Sequence, residues 1–159
     1  MLKYQTNCPS RKVTIYTDGA CSQNGTWEGG WAFIILTDKL SLTKNGYEKS
    51  TTNQRMELMA IIEALESLKE PSYIELYTDS MYCVKTINEW LETWLRDQHK
   101  SRANFDLWLR FYELAKEHYI KAFHVRGHES NEMNNRCDEL AVKAVKQILV
   151  EKLEDIGQC

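Results

Sequence analysis

The sequence predicts an α/β sandwich built on one mixed sheet. Three observations carry that expectation. Three strand-like segments joined by turn-rich connections precede Thr51, helical and strand-like segments alternate after it, and the last long segment is again helical. The first three strands suit an antiparallel meander, and the two later ones, reached through helical crossovers, run parallel. The result is a five-stranded sheet with helices on both faces.

Each element has its own signal. Residues 13–18 alternate and end in Asp-Gly, a strand running into a turn. Residues 29–36 form a strongly apolar strand, and residues 40–50 a more polar third one. Thr52 or Asn53 caps a helix in which Leu58, Ile61, Ile62, Leu65 and Leu68 recur at helical spacing, and Pro71-Ser72 breaks it. Residues 73–79 are strand-like again, and Ser80 caps a helix reaching about residue 95. A further helix covers 104–118, a strand covers 120–125, and a long helix covers 134–153.

The chain has 159 residues, enough for one domain with a sizeable core. Hydrophobic residues make up 43% and charged residues 27%; with 5 Trp and 8 Tyr, this balance excludes a disordered chain. No stretch approaches the roughly 20 apolar residues that span a bilayer, so no membrane partner is expected. The first dozen residues lack the apolar core of a secretion signal. Cys8, Cys21, Cys83, Cys137 and Cys159 form neither a CxxC pair nor a zinc pattern, and read as reduced cysteines of a cytoplasmic protein. The net charge of -3 tells against a strong, indiscriminate nucleic-acid binder. It fits a nuclease whose acids hold cations, because the metals invert the local sign.

The informative residues are Asp18, Glu57, Asp79 and Asp138. Asp18 and Asp79 each end a β-rich run, and in open α/β sheets ligands bind beyond the carboxyl ends of strands. Glu57 shares a helical face with Ile61, Ala64 and Leu68; Asp138 shares one with Ala141, Val142, Val145 and Leu149. Both acids therefore continue apolar stripes. An unpaired carboxylate turned inward costs several kcal/mol, and a helix N-terminus offsets only about 0.3–1 kcal/mol of that. A shared cation resolves both anomalies. Taken singly, Asp18 is also a good turn residue, Asp79 a good helix entry, and a helical Glu an ordinary surface charge. A cluster of hard oxygen donors selects Mg²⁺ or Mn²⁺, and two such ions suit in-line phosphodiester displacement.

Five local strings then resemble the type 1 ribonuclease H family. They are Tyr16-Thr-Asp-Gly-Ala-Cys21, Thr51-Thr-Asn-Gln-Arg-Met-Glu-Leu-Met-Ala60, Tyr77-Thr-Asp-Ser80, Val125-Arg-Gly-His128 and Asn134-Asn-Arg-Cys-Asp-Glu-Leu-Ala141. The resemblance spans about residues 12–145 and implies the ribonuclease H-like fold. It also implies cleavage of the RNA strand of RNA–DNA hybrids by two Mg²⁺ ions, with Mn²⁺ able to substitute, giving 5′-phosphate and 3′-hydroxyl ends. By position, Asp18, Glu57, Asp79 and Asp138 match the family's metal ligands and His128 its catalytic histidine. Asn24, Thr52 and Asn53 fall where the family contacts hybrid backbone. Gln54 matches a minor-groove contact able to read the 2′-hydroxyl, and Asn134 lies near the metals.

His128 follows a strand through Gly127, and an imidazole titrating near neutrality can move protons there. His99, His118 and His124 read as solvated histidines. In the helical region before residue 108, Trp90 and Trp94 stand at i and i+4, which suits a core pair as well as a DNA-backbone groove. Only Arg96, Lys100 and Arg102 are basic there, so a weak, salt-sensitive grip is expected. The expected organisation is an N-terminal extension (1–11), a catalytic domain (12–150) and a C-terminal tail (151–159), acting as a monomer. A DNA nuclease or resolvase of the same fold, or a hybrid-binding module without catalysis, are the competing readings.

Overall fold

The computed structural model describes residues 2–3, 9–22, 26–97, 100–126 and 131–157. Strands β2 (Lys12–Cys21), β3 (Gly29–Leu36) and β4 (Ser41–Glu48) pair antiparallel in chain order. Strand β5 (Tyr73–Thr78) joins β2 in parallel, and β6 (Tyr119–His124) joins β5 in parallel. These five strands are the mixed sheet that the sequence predicts. A sixth strand, β1 (Leu2–Lys3), pairs antiparallel with β6 at the edge, giving the order β1-β6-β5-β2-β3-β4. Two residues are too few to carry a period, so nothing in the sequence marks it.

One face of the sheet presents Val13, Ile15, Phe33, Ile35, Ile74, Leu76, Ile120 and Ala122 to a single core. Helix α1 (Asn53–Glu66) covers it, and α4 (Phe105–Ala115) packs behind α1 with Trp108 and Phe111 fully buried. Thr52 is the cap: its hydroxyl accepts from the Arg55 amide at 3.2 Å. Helix α5 (Glu132–Gly157) crosses β2, β3 and β4 on the opposite face, burying Cys137, Ala141, Ala144, Val145 and Ile148. It runs on through residues 151–157, so most of the expected tail is the end of this helix.

The helix expected from Ser80 is α2 (Met81–Lys85), a π turn (Thr86–Trp90) and α3 (Leu91–Arg96), end to end. The widened turn seats Asn88 on the open edge of β6. Its side chain donates to the Ala122 carbonyl at 3.0 Å and accepts from the Ala122 amide at 3.4 Å. Ladder groups that β1 is too short to reach are thereby satisfied. Helix α4 is shorter than expected, since Asn104 enters it with a left-handed φ of 63° and no side-chain cap. His118 corrects the sequence reading: it is buried, and its Nδ1 accepts from the Ser72 amide at 3.2 Å, which joins the end of α4 to the start of β5. His124 is exposed. No helix among the described residues is long and apolar enough to cross a membrane.

Candidate active site

The parallel ladder between β2 and β5 ends at Thr17 opposite Thr78. Asp18 and Asp79 are the next residues on the two neighbouring strands, so the register alone sets their carboxylates side by side. Asp79 directly follows β5 and precedes Ser80, whose hydroxyl accepts from the Cys83 amide and starts α2. Asp18 is not at a turn, as its Asp-Gly context suggests. Strand β2 continues to Cys21, with Asp18 opposite Ala32 of β3.

Gly19 brings in the third acid. A Cβ there would lie 2.3 Å from the Glu57 nitrogen and 2.4 Å from the Met56 carbonyl carbon. Only glycine lets α1 settle this close, and the approach delivers Glu57 to Asp18. One ligand oxygen from each of Asp18, Glu57 and Asp79 lies within 4.8 Å of the others. Asp18 is 2% and Glu57 5% exposed. Asp138, on the second turn of α5, stands outside this tight group, yet its charge still raises the Asp18 pKa.

Burial, reinforced by Asp79, pushes the Asp18 carboxyl up to about 8, although the Glu57 side chain and the Gly19 amide at 2.9 Å favour its charged form. Burial likewise drives Glu57 well above its ordinary range, followed by the charges of Asp18 and Asp79. The protein alone thus assembles carboxyls that resist ionising together. Glu57 Oε2 is buried with no hydrogen-bond partner. A buried orphaned oxygen among hard carboxylate donors fits a divalent cation such as Mg²⁺ or Mn²⁺, which would supply the missing countercharge.

Around this cluster, Thr52, Asn53 and Gln54 are exposed at the entry of α1. Asn134 is buried at the start of α5 with its Oδ1 unpartnered. Trp90 and Trp94 stack at 5.9 Å between ring centroids; Trp94 is 7% exposed and belongs to the core, whereas Trp90 is 40% exposed. Asn24 and His128 lie outside the described residues. The sequence reading missed Arg55, which ties α1 to α4 through paired hydrogen bonds to Asp106 at 2.9 and 3.1 Å. It also missed Glu28, fully buried although flanked by turn residues. Neither shows a periodic signal, because each depends on a partner far along the chain.

A family model described as RNase H matches residues 10–146. The chain belongs to the ribonuclease H family. Ribonuclease HI of Campylobacter jejuni is 47% identical to it over 144 residues, covering 91% of this chain and 98% of that protein. Among solved structures, LC9-RNase H1, described as a type 1 RNase H with the type 2 active-site motif, superposes with a TM-score of 0.81 at 25% identity, over 89% of this chain and 75% of the other. LC11-RNase H1, solved in complex with an RNA/DNA hybrid, gives 0.68 at 22% identity over 86% and 99% and shares the fold. The chain is a ribonuclease H of type 1 and a hydrolase.

Proposed function

We propose that this ribonuclease H hydrolyses the RNA strand of RNA–DNA hybrids as an endonuclease, leaving 5′-phosphate and 3′-hydroxyl ends. The observation that carries the reading is the Asp18–Glu57–Asp79 cluster with Asp138 beside it, whose two buried carboxyls resist ionising without a bound countercharge. Asp18, Glu57, Asp79 and Asp138 would hold two Mg²⁺ ions; Mn²⁺ has the same preference for hard oxygen. When bound, the ions supply a water of lowered pKa and countercharge for the leaving oxygen.

The chain's own residues bind, orient and move protons. As ligands, Asp18 and Glu57 would be held in their charged forms. The attacking water gives up a proton as its oxygen bonds to phosphorus, the bond to the 3′ oxygen breaks, and that oxygen takes up a proton. His128 takes the role of proton carrier at this step, on the strength of its Val-Arg-Gly-His motif. Thr52 and Asn53, exposed at the N-terminus of α1, hold phosphates where amide groups and helix dipole favour anions. Gln54 reads the 2′-hydroxyl, Asn134 orients groups beside the acids, Trp90 lines the DNA side with Trp94 as its support, and Asn24 contacts backbone. Free Cys21, Cys83 and Cys137 suit a reducing cytoplasm.

The test is cleavage of a labelled RNA–DNA hybrid in Mg²⁺ and in Mn²⁺, beside RNA–RNA and DNA–DNA duplexes, with Asp138→Asn as the blank. Cutting confined to the hybrid's RNA strand, and lost in the variant, is the expected result. Preferential cutting of duplex DNA would make the protein a DNA nuclease, and binding without turnover a non-catalytic module.

A further inference from the structure

Between β2 and β3 the chain holds a bulky side chain out in water on a backbone unsuited to it. Trp27 has φ of 62°, a region that large side chains rarely occupy, and its side chain is 58% exposed. Such a conformation persists only where its surroundings over-determine it.

Here they do. The Trp27 carbonyl accepts from the Thr51 amide at 2.8 Å, and the Glu28 carbonyl from the Ser22 amide at 2.7 Å. The next residue, Gly29, is pressed against α1's entry: a Cβ on it would lie 2.3 Å from Thr51 Cγ2. Glu28 itself is 0% exposed, and its carboxylate is paired with Lys152 from the far end of α5. Lys152, then the Thr26 hydroxyl, hold the Glu28 carboxyl down at about 2, so it stays charged throughout the neutral range. The backbone on both sides of Trp27 is thus fixed by β2, by the approach to α1 and by α5, while the indole takes little part in the core.

The position gives the arrangement a use. Thr51, bonded to Trp27, directly precedes Thr52, the cap of α1, and Glu57 follows one turn later. We infer that Trp27 is a hybrid-binding residue that packs its indole against a nucleotide bordering the α1 entry, and that Glu28 and Lys152 are the positioning residues that hold it there. The inference rests on the hybrid-cleaving reading above. An uncharged aromatic face meets sugar and base without repelling phosphate, and stacking of this kind is tolerant of sequence. It also offsets the sparse positive charge around Trp90. The last turns of α5 acquire a purpose by the same route, since Lys152 acts on substrate grip through Glu28.

The experiment is steady-state cleavage of hybrid in Mg²⁺ by the full chain carrying Trp27→Gly, Trp27→Phe, Lys152→Met or Lys152→Arg, with thermal unfolding of each. Glycine is at ease at positive φ, so Trp27→Gly is expected to leave the melting temperature unchanged or raised. The same variant should raise KM about ten-fold, with kcat nearly constant. Trp27→Phe recovers most of the affinity. Lys152→Met raises KM in the same direction, and Lys152→Arg restores it. A Trp27→Gly KM within about two-fold of the unaltered protein's overturns the inference, including the case in which the variant changes only self-association. If the unaltered protein cuts hybrid normally, that result leaves the proposed function standing. If the unaltered protein cuts no hybrid, both fall.

Discussion

The backbone of Glu57 touches Gly19, with 2.3 Å between the Glu57 nitrogen and the place a Gly19 Cβ would occupy. The atoms in the way are main chain of a helix packed on the core, so they cannot rotate aside. Gly19→Ala should therefore displace α1 from β2, destabilising the protein by about 1–3 kcal/mol. Activity should fall much further than that stability loss explains, because Glu57 moves away from Asp18. Chemical unfolding and a cleavage assay at a temperature where the variant remains folded would separate the two. A folded, fully active variant would show that the close approach is not what sets the site.

Stability without metal should fall as pH rises. Asp18 and Glu57 have ordinary values of 3.8 and 4.5, and both are raised in the folded chain, Asp18 to about 8. Between roughly pH 4 and 8 the unfolded chain gives up protons that the folded chain retains, so the folded state loses ground through that window. Glu28, held low by Lys152, acts in the opposite sense below its ordinary 4.5, and His118, held low by burial, opposes the decline only below its ordinary 6.5. Melting curves in chelator from pH 4.5 to 8 should show the decline, and Mg²⁺ should reverse it most at the alkaline end. A flat profile in chelator would mean that the two carboxyls ionise freely.

Glu57→Gln should separate stability from catalysis. The amide keeps the shape and removes one of the crowded charges, so the metal-free variant should melt higher than the unaltered protein at pH 8. Mg²⁺ should stabilise it less, and hydrolysis should drop on the order of a hundred-fold or more. A variant that keeps both the Mg²⁺ response and the rate would remove Glu57 from the ligand set.

Hybrid affinity should depend on salt only moderately. Near Trp90, Arg96 is engaged by Asp97 at 3.1 Å and Arg102 lies 5.0 Å above the Trp94 ring. Few cations are left to displace phosphate counterions. A plot of log affinity against log salt, measured with uncut hybrid in Ca²⁺, should have a slope of about -2 to -3. A slope near zero would leave no backbone grip to explain, and a much steeper one would point to basic contacts elsewhere.

Much of the fold is legible in the sequence. The alternation in residues 13–18 and 73–79, and the helical period after Asn53, are local signals, and local signals survive into the fold. The acids of the cluster stand out for other reasons: Asp18 and Asp79 end strand-like runs, and Glu57 is a charge on an apolar stripe, in conflict with the core it faces. What stayed hidden depends on contacts between distant segments. Gly19 reads as a turn glycine until α1 is laid on β2. Glu28 reads as a loop acid until Lys152, 124 positions later, reaches it. His118 reads as solvated until Ser72 is seen to donate to its ring. The π turn answers an edge of β6 that no property of residues 86–90 announces.

The ladder between β2 and β5 works as a ruler. Six consecutive pairs run from Lys12 opposite Tyr73 to Thr17 opposite Thr78, and the acids occupy the next mark. Because side chains alternate between faces, adding or deleting one residue in either strand would send an aspartate to the wrong side and turn a row of core residues toward water. Descendants of this sequence can therefore exchange one apolar residue for another along these strands with little penalty, but they cannot change the count. Changes of length are channelled into the connections, and the spacing from strand start to acid is inherited more faithfully than the residues that fill it.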